Sequence, residues 1–359
     1  MQKILPFYLK FLTCLLAGLI AGAAIGRIGV RFLTQWVPPQ GVFAVAGLIL
    51  LLALVYPFYW QTKEKSNAED STNRLAFWQG VIRYFIALDL SMFGWQKIFH
   101  LQFFTPLGIL DLPFSSFSGE QLTWAYFGHS YAFVCVIGSM QILGSYLLLF
   151  QRTRLIGVFV LIPVLANIMF IDFFYGLPTG VQIHAHIMMA GVLYLLFMEY
   201  ERLVEFFLRA KNVLPTFDFK GAWRKNLLRF SVLGIPLLLI SLYQFPDKHP
   251  ELTGKYEVKK LEINHQLVGA QDCRDSVLTI VYMDVADDFV FEFNDQNKRL
   301  IGAYTYDPHT HSIEVDWRYP ENQKDNFRGS LLTSQEKNEL RLQGVMGVDT
   351  FNIQLKKLQ

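Results

Sequence analysis

Hydrophobic positions in this chain fall into two regimes. Over residues 1–246 they come in long blocks, at about 7–33, 38–60, 76–99, 123–150, 155–175, 182–206 and 226–244. A bilayer core about 30 Å thick takes roughly 20 apolar residues of helix, so each block predicts a membrane-spanning helix. After Pro250 the period drops to two. Ile313, Val315, Trp317 and Tyr319 alternate with Ser312, Glu314, Asp316 and Arg318, and Phe289, Phe291 and Phe293 alternate likewise. Phe351, Ile353 and Leu355 do so against Thr350, Asn352, Gln354 and Lys356. Such alternation predicts half-buried antiparallel strands. "FNDQNK" and "YDPHTHS" read as hairpin turns. About eight strands in roughly 110 residues suffice for one small barrel or sandwich. The expected fold is therefore a membrane all-α bundle of seven spans followed by an antiparallel all-β domain.

Composition agrees. Of 359 residues 52% are hydrophobic, 15% aromatic and 17% charged, and the formal net charge is +2. That balance, with no basic run interleaved with aromatics, argues against nucleic acid as a partner. The partner expected first is the bilayer itself. The first block is long and has no clean small-residue cleavage site, so it reads as a retained span. Cys14, Cys135 and Cys273 are too few for a disulfide framework, and no CxxC occurs. Gly18, Gly22 and Gly26, four apart, form a small-residue ridge for close helix packing.

Loop charge sets orientation. Lys3 and Lys10 stand at the start of the first span, and Lys63, Lys65 and Arg74 between the second and third. Arg152 and Arg154 follow the fourth. Arg202, Arg209, Lys211, Lys220, Arg224 and Lys225 surround the connection from sixth to seventh. The alternate connections, 101–123 and 176–181, hold no Lys or Arg. This places the N-terminus in the cytoplasm and the C-terminal domain outside, periplasmic if the membrane is a bacterial inner membrane. Arg27 and Arg31 are discordant, and snorkelling to headgroups would accommodate them.

The middle of the chain carries a resemblance. "RYFIALDLSMFGWQKIFHLQF", with Gly94, Lys97, Phe99, Gln102 and Phe103, resembles the first helix of the DoxX-like membrane family. "LTWAYFGHSYAFVCVIGSMQILGSYLLLFQRTRLIG" is similar to its second helix and Arg-Thr loop, and "NIMFIDFFYGLP" to its third. "QIHAHIMMAGVLYLLF" is then the fourth. The resemblance covers about 76–208 and implies a four-helix membrane bundle. It implies no settled reaction, although some members of that family are linked to quinone-coupled sulfur oxidation or to oxidoreductase complexes. Relatives often carry a Glu where this chain has Gln141, so a role needing a carboxylate there is lost. "LTGKYEV" resembles the opening of lipocalin-type barrels, which implies either an apolar ligand or a filled core. The domains expected are 1–75 (two spans and a loop), 76–208 (the DoxX-like bundle), 209–246 (a loop and the seventh span) and 247–359 (the β domain). The short tether 244–251 would hold the β domain close over the membrane part.

A charge at a helix centre in lipid costs roughly 2.5–3.5 kcal/mol on insertion scales, so polar groups inside the blocks are the candidate site. Those expected near one outer rim are Lys97, His100, His129, Asp172, His184 and His186. Asp89, Gln141 and Asn167 lie within the same four blocks. Asp89 needs a counter-ion, Arg83 or Lys97 by sequence, and Arg83 otherwise clamps to Glu199 or Glu201. By helical phase Asp89, Gln96 and His100 share a stripe, whereas His184 and His186 point about 200° apart and cannot form a joint chelate.

Three readings stand. The first is an accessory or subunit of a quinone-associated redox system, with Asp89, Lys97, His100, His129 and Asp172 as catalytic candidates. His129, His184, Lys97, Gln141 and Asn167 would then contact the quinone. A haem or metal held by His129 and His184 is a variant of it. The second is a non-enzymatic scaffold whose β domain binds a periplasmic partner, a membrane partner or a lipid. The third is a proton-coupled transporter using Asp89. No P-loop, GxSxG or HExxH occurs. "GAAIGRIG" follows no strand, so it is not a dinucleotide-binding turn.

Overall fold

A computed structural model describes residues 5–64, 68–104, 106–110, 113–210, 221–242, 249–269, 276–295, 298–321, 323, 325–333 and 338–358. The expected 244–251 tether, Lys211, Lys220 and Cys273 lie wholly or largely outside the described residues. The chain divides into two units, 1–214 and 215–359.

The helices of the first unit are α1 (Phe7–Phe32), α2 (Pro39–Glu64), α3 (Ala68–Ile98), the short α4 (Leu107–Leu110), α5 (Gly119–His129), α6 (Tyr131–Leu149), α7 (Arg154–Phe174), α8 (Thr179–Phe197) and α9 (Tyr200–Val204). The second unit opens with α10 (Ala222–Leu242). Six of them, α1, α2, α6, α7, α8 and α10, are long and apolar enough to cross a membrane. The third block is also helical, as the 31-residue α3, with Arg83, Asp89 and Lys97 close together in its second half.

Helix α3 packs on α6, α6 on α7, α7 on α8 and, over a shorter length, α8 on α3. Their inward faces meet in a core that includes Ile82, Ile86, Leu148, Leu161 and Val192. Sequence blocks alone separate the first two spans from this bundle. In the structure α1 packs along α3 and α8 and adds Ala17 and Ile20 to the core, while α2 lies against α1. The glycine ridge serves that contact, since Gly18 faces Leu50 and Ala53 and Gly22 faces Ala46.

Two blocks are shorter than their hydropathy suggests. The fourth, 123–150, is broken at Ser130. That residue leaves helical geometry at φ −127°, ψ 97°, and its Oγ accepts from the Phe133 N–H to start α6 afresh. The sixth, 182–206, ends as α8 at Phe197, and α9 follows after a turn.

Close approach of α3 and α6 depends on Gly94 and Gly138. A Cβ on Gly94 would lie 2.6 Å from the Gly138 carbonyl oxygen, and one on Gly138 would lie 2.8 Å from the Gly94 oxygen. Backbone cannot yield as a flexible side chain can.

The second unit ends in a closed antiparallel barrel. Its strands are β1 (Gly254–Ile263), β2 (Gln266–Val268), β3 (Leu278–Met283), β4 (Asp288–Phe293), β5 (Arg299–Asp307), β6 (Ser312–Tyr319), β7 (Phe327–Thr333), β8 (Glu339–Met346) and β9 (Asp349–Lys357). The order is β1-β3-β4-β5-β6-β7-β8-β9, and β9 returns to β1 with Leu261 opposite Ile353. Eight strands thus close the barrel, and β2 is an extra arm on the second half of β1. Closure removes the exposed edges an open sheet would present. Alternation read from sequence sends Phe289, Phe291, Ile313, Val315, Ile353 and Leu355 inward. These side chains, with Phe327 and Leu342, fill the interior. The turn after β5 is fixed by Asp307, whose carboxylate accepts from the His309 N–H and the Thr310 hydroxyl. Those bonds, the backbone one foremost, hold its carboxyl below the usual range.

Two outcomes follow. Gly94→Val forces overpacking against backbone and lowers stability by about 1–3 kcal/mol, read as a fall in the unfolding temperature of the detergent-solubilised protein. In the barrel, burial pushes the Tyr256 hydroxyl from 10.0 up to about 12, and that hydroxyl donates to the Leu252 oxygen at 2.6 Å. A raised folded value contributes stability that is complete below pH 10 and is lost as pH climbs toward 12. Tyr256→Phe therefore costs stability at pH 8, and the gap to wild type closes over that alkaline window, as followed by alkaline melts.

Candidate functional site

Asp89 lies in the middle of α3 with no solvent exposure. Both its carboxylate oxygens are engaged. Arg27 of α1 donates from Nε to Oδ1 at 2.8 Å, and its Nη2 stands 2.6 Å from the same oxygen. That nitrogen also donates to the Asp89 carbonyl at 3.2 Å. His184 of α8 donates from Nε2 to Oδ2 at 2.7 Å. Phe93, one turn beyond Asp89, lays its ring 3.8 Å under the Arg27 guanidinium and turns its edge to the His184 ring. Three helices are therefore tied at one carboxylate.

This corrects the sequence expectation for Asp89. Its counter-ions are not Arg83 or Lys97 but Arg27 and His184. Arg27 is one of the pair that broke the loop-charge pattern, and that discord was the available signal. It does not reach for headgroups because a carboxylate on the neighbouring helix is nearer. Arg83 is likewise not the clamp on Glu199. Arg154 holds Glu199, joined by Arg202 at 3.0 Å, and Arg83 stands in the same small cavity.

Lys97 is two turns past Asp89 on α3 and only 4% exposed. Its Nζ donates to Gln102 Oε1 at 3.1 Å and lies 5.5 Å and 5.3 Å from the ring centroids of Phe93 and Phe103. Among the described residues no carboxylate pairs with it. It borders a cavity of about 650 Å³ whose walls come from α3, α5, α6, α7 and α8. Trp124, Phe127, Met140 and Met188 make much of the wall apolar. Lys97, His184, Asn167 and Asp172 supply polar groups. Asp172 is buried near the end of α7, and its Oδ2 has no hydrogen-bond partner among the described residues.

The remaining expected residues separate from this group. The Asp89–Gln96–His100 stripe fails because α3 ends at Ile98. His100 follows in a left-handed turn at φ 55°, exposed, and stacks on Tyr131 with centroids 3.8 Å apart. His129 is exposed at the end of α5 and does not border the cavity, since the break at Ser130 ends its helix there. A haem or metal bridged by His129 and His184 thus loses its geometry, and no three-residue group of His, Cys, Asp and Glu suited to a metal occurs among the described residues. Gln141 is fully buried on α6 away from the cavity, and among the described residues neither amide atom has a partner. His186, on the other side of α8, turns its Nδ1 to the Gln182 carbonyl of its own helix at 2.7 Å. One of the two histidines therefore enters the bundle and the other does not.

Removing one partner of a buried ion pair strands the other charge, at a cost of about 3–5 kcal/mol. Arg27→Gln and Asp89→Asn are each expected to lower the unfolding temperature markedly. The double variant is expected to recover part of the loss, which a double-mutant thermal cycle measures.

No family model matches the chain, and no solved structure matches it. It is 31% identical over 127 residues to the uncharacterized protein YwoB of Bacillus subtilis strain 168, an alignment covering 35% of this chain and 79% of that protein. With that identity extending over most of the length of YwoB, the chain belongs to the YwoB family.

Proposed function

We propose that the helical unit binds a lipid-soluble, quinone-type ligand in the Lys97 cavity, as an accessory or subunit of a redox-linked membrane system. The observation that carries this is Lys97 itself. A buried ammonium facing an apolar cavity, with one amide oxygen and two ring faces for company, lacks the anionic or strongly accepting oxygen that its burial calls for. A quinone carbonyl gaining electron density is such an oxygen, and the aromatic and methionine walls suit the ring and tail. His184, hydrogen-bonded to Asp89, stands at the same cavity as a second donor or proton carrier. Asp172 and Asn167 offer a polar contact for the far side of the ring. The DoxX-like resemblance of 76–208 points the same way.

The membrane setting belongs to this reading. We infer seven spans, with α3 as the seventh, because Asp89 and Lys97 are buried in protein and so do not face lipid. Loop charge favours a cytoplasmic N-terminus and a periplasmic barrel in a bacterial inner membrane. Pairing of Arg27 with Asp89 removes half of the discordant pair from that charge balance.

Ubiquinone or menaquinone added to the purified protein is expected to quench tryptophan fluorescence, since Trp124 borders the cavity. Lys97→Met should weaken the apparent affinity by about tenfold or more, equivalent to roughly 1.4 kcal/mol, and His129→Ala should leave it unchanged. No quenching by either quinone, or an unchanged affinity in Lys97→Met, would discard the proposal.

A further inference from the structure

A second cavity, of about 690 Å³, lies beside the first, toward α1. It shares Phe93, Gln102, Trp124, Leu177, Val181 and His184 with the first, and α1 and α2 join α3, α5, α8 and the neighbouring loops in its other walls. Its chemistry differs. Arg27 and Arg31 both border it, and so does Gln96. Arg27 is committed to Asp89. Arg31, in the last turn of α1, donates only to the Leu101 carbonyl at 3.2 Å among the described residues, which leaves most of its five donors open. Gln96 is 3% exposed, and its amide nitrogen has no hydrogen-bond partner among the described residues. A buried donor left unmade costs about 1–3 kcal/mol, so an acceptor is expected there. Phe43, Ile183 and Ile187 line the cavity beside these donors, and Gly22, Ala23 and Gly26 keep the α1 wall low.

We propose that this cavity seats a membrane phospholipid, its phosphate held by Arg31 and the Gln96 amide and one acyl chain lying along the Gly22–Gly26 face. Guanidinium forks match phosphate oxygens, and basic pockets between membrane helices are suited to lipid headgroups. The apolar wall next to the donors selects a lipid over the free anion. Glu120 borders the cavity too, so the phosphate seats on the arginine side. The inference does not depend on a quinone occupying the first cavity.

The test is thermal unfolding of the full chain in neutral detergent with three additives: dioleoyl phosphatidylglycerol, a phosphate-free galactosyl diacylglycerol, and inorganic phosphate. The phospholipid is expected to raise the unfolding temperature by several degrees, and the other two are not. Arg31→Gln and Gln96→Leu should each abolish the phospholipid-specific rise, whereas Lys97→Met and Glu120→Gln should keep it. An equal rise with the galactolipid would show that the apolar wall alone binds. A rise with inorganic phosphate alone would assign the cavity to a free anion. Either result, or a rise that persists in Arg31→Gln, overturns the proposal. Quinone quenching measured on Arg31→Gln separates the two cavities, since it should be retained.

Discussion

A carboxylate in the middle of an apolar bundle persists only where other helices bring it donors, and Asp89 receives them from α1 and α8 at once. Desolvating an ion costs several kcal/mol even in a relaxed protein interior, and good geometry with every lone pair engaged is needed to repay it. Arg27 and His184 supply that geometry. The consequence is architectural: α1, α3 and α8 cannot slide past one another without stranding a charge. Helix α1 is fixed at its other end in the same way, where Lys10 pairs with Glu64 and bonds Gln61 at 2.7 Å. The Ser71 hydroxyl of α3 adds a bond to the same Glu64 carboxylate. The two anchors stand 17 residues apart on α1, roughly 25 Å along its axis.

That fixed frame makes the two cavities possible. Apolar helices in lipid have little hydrophobic drive to close on one another, so gaps between them persist where no side chain fills them. Here the gaps lie on either side of a partition that includes Phe93 and His184, and both of those residues contact the Asp89 assembly. Within the bundle the same groups therefore tie helices together and line the cavities. A variant at Asp89 must be judged on stability before any binding result is assigned to chemistry.

The barrel follows a different logic. It is closed, its inward positions are taken by aromatic and branched side chains, and Phe289, Phe291 and Phe327 pack ring against ring. Of the two possibilities that a lipocalin-like opening allows, a filled core is the one these side chains produce.

Period in the sequence determined most of the secondary structure, because burial in lipid and in a barrel each impose a spacing that side chains must obey. Block hydropathy placed the long helices, and alternation placed the strands and their inward faces. Helical phase also separated His184 from His186, since 200° of rotation is a property of the helix alone. What sequence did not decide was partnership. Arg27 and Asp89 are 62 residues apart and Asp89 and His184 are 95 apart, and no local spacing joins them. Nor did hydropathy show the break at Ser130, since an apolar run reads the same through a kink. Which cation met which carboxylate, and which histidine joined them, was settled only when α1 packed between α3 and α8, because pairing depends on distance in space and the chain encodes it only through the whole fold.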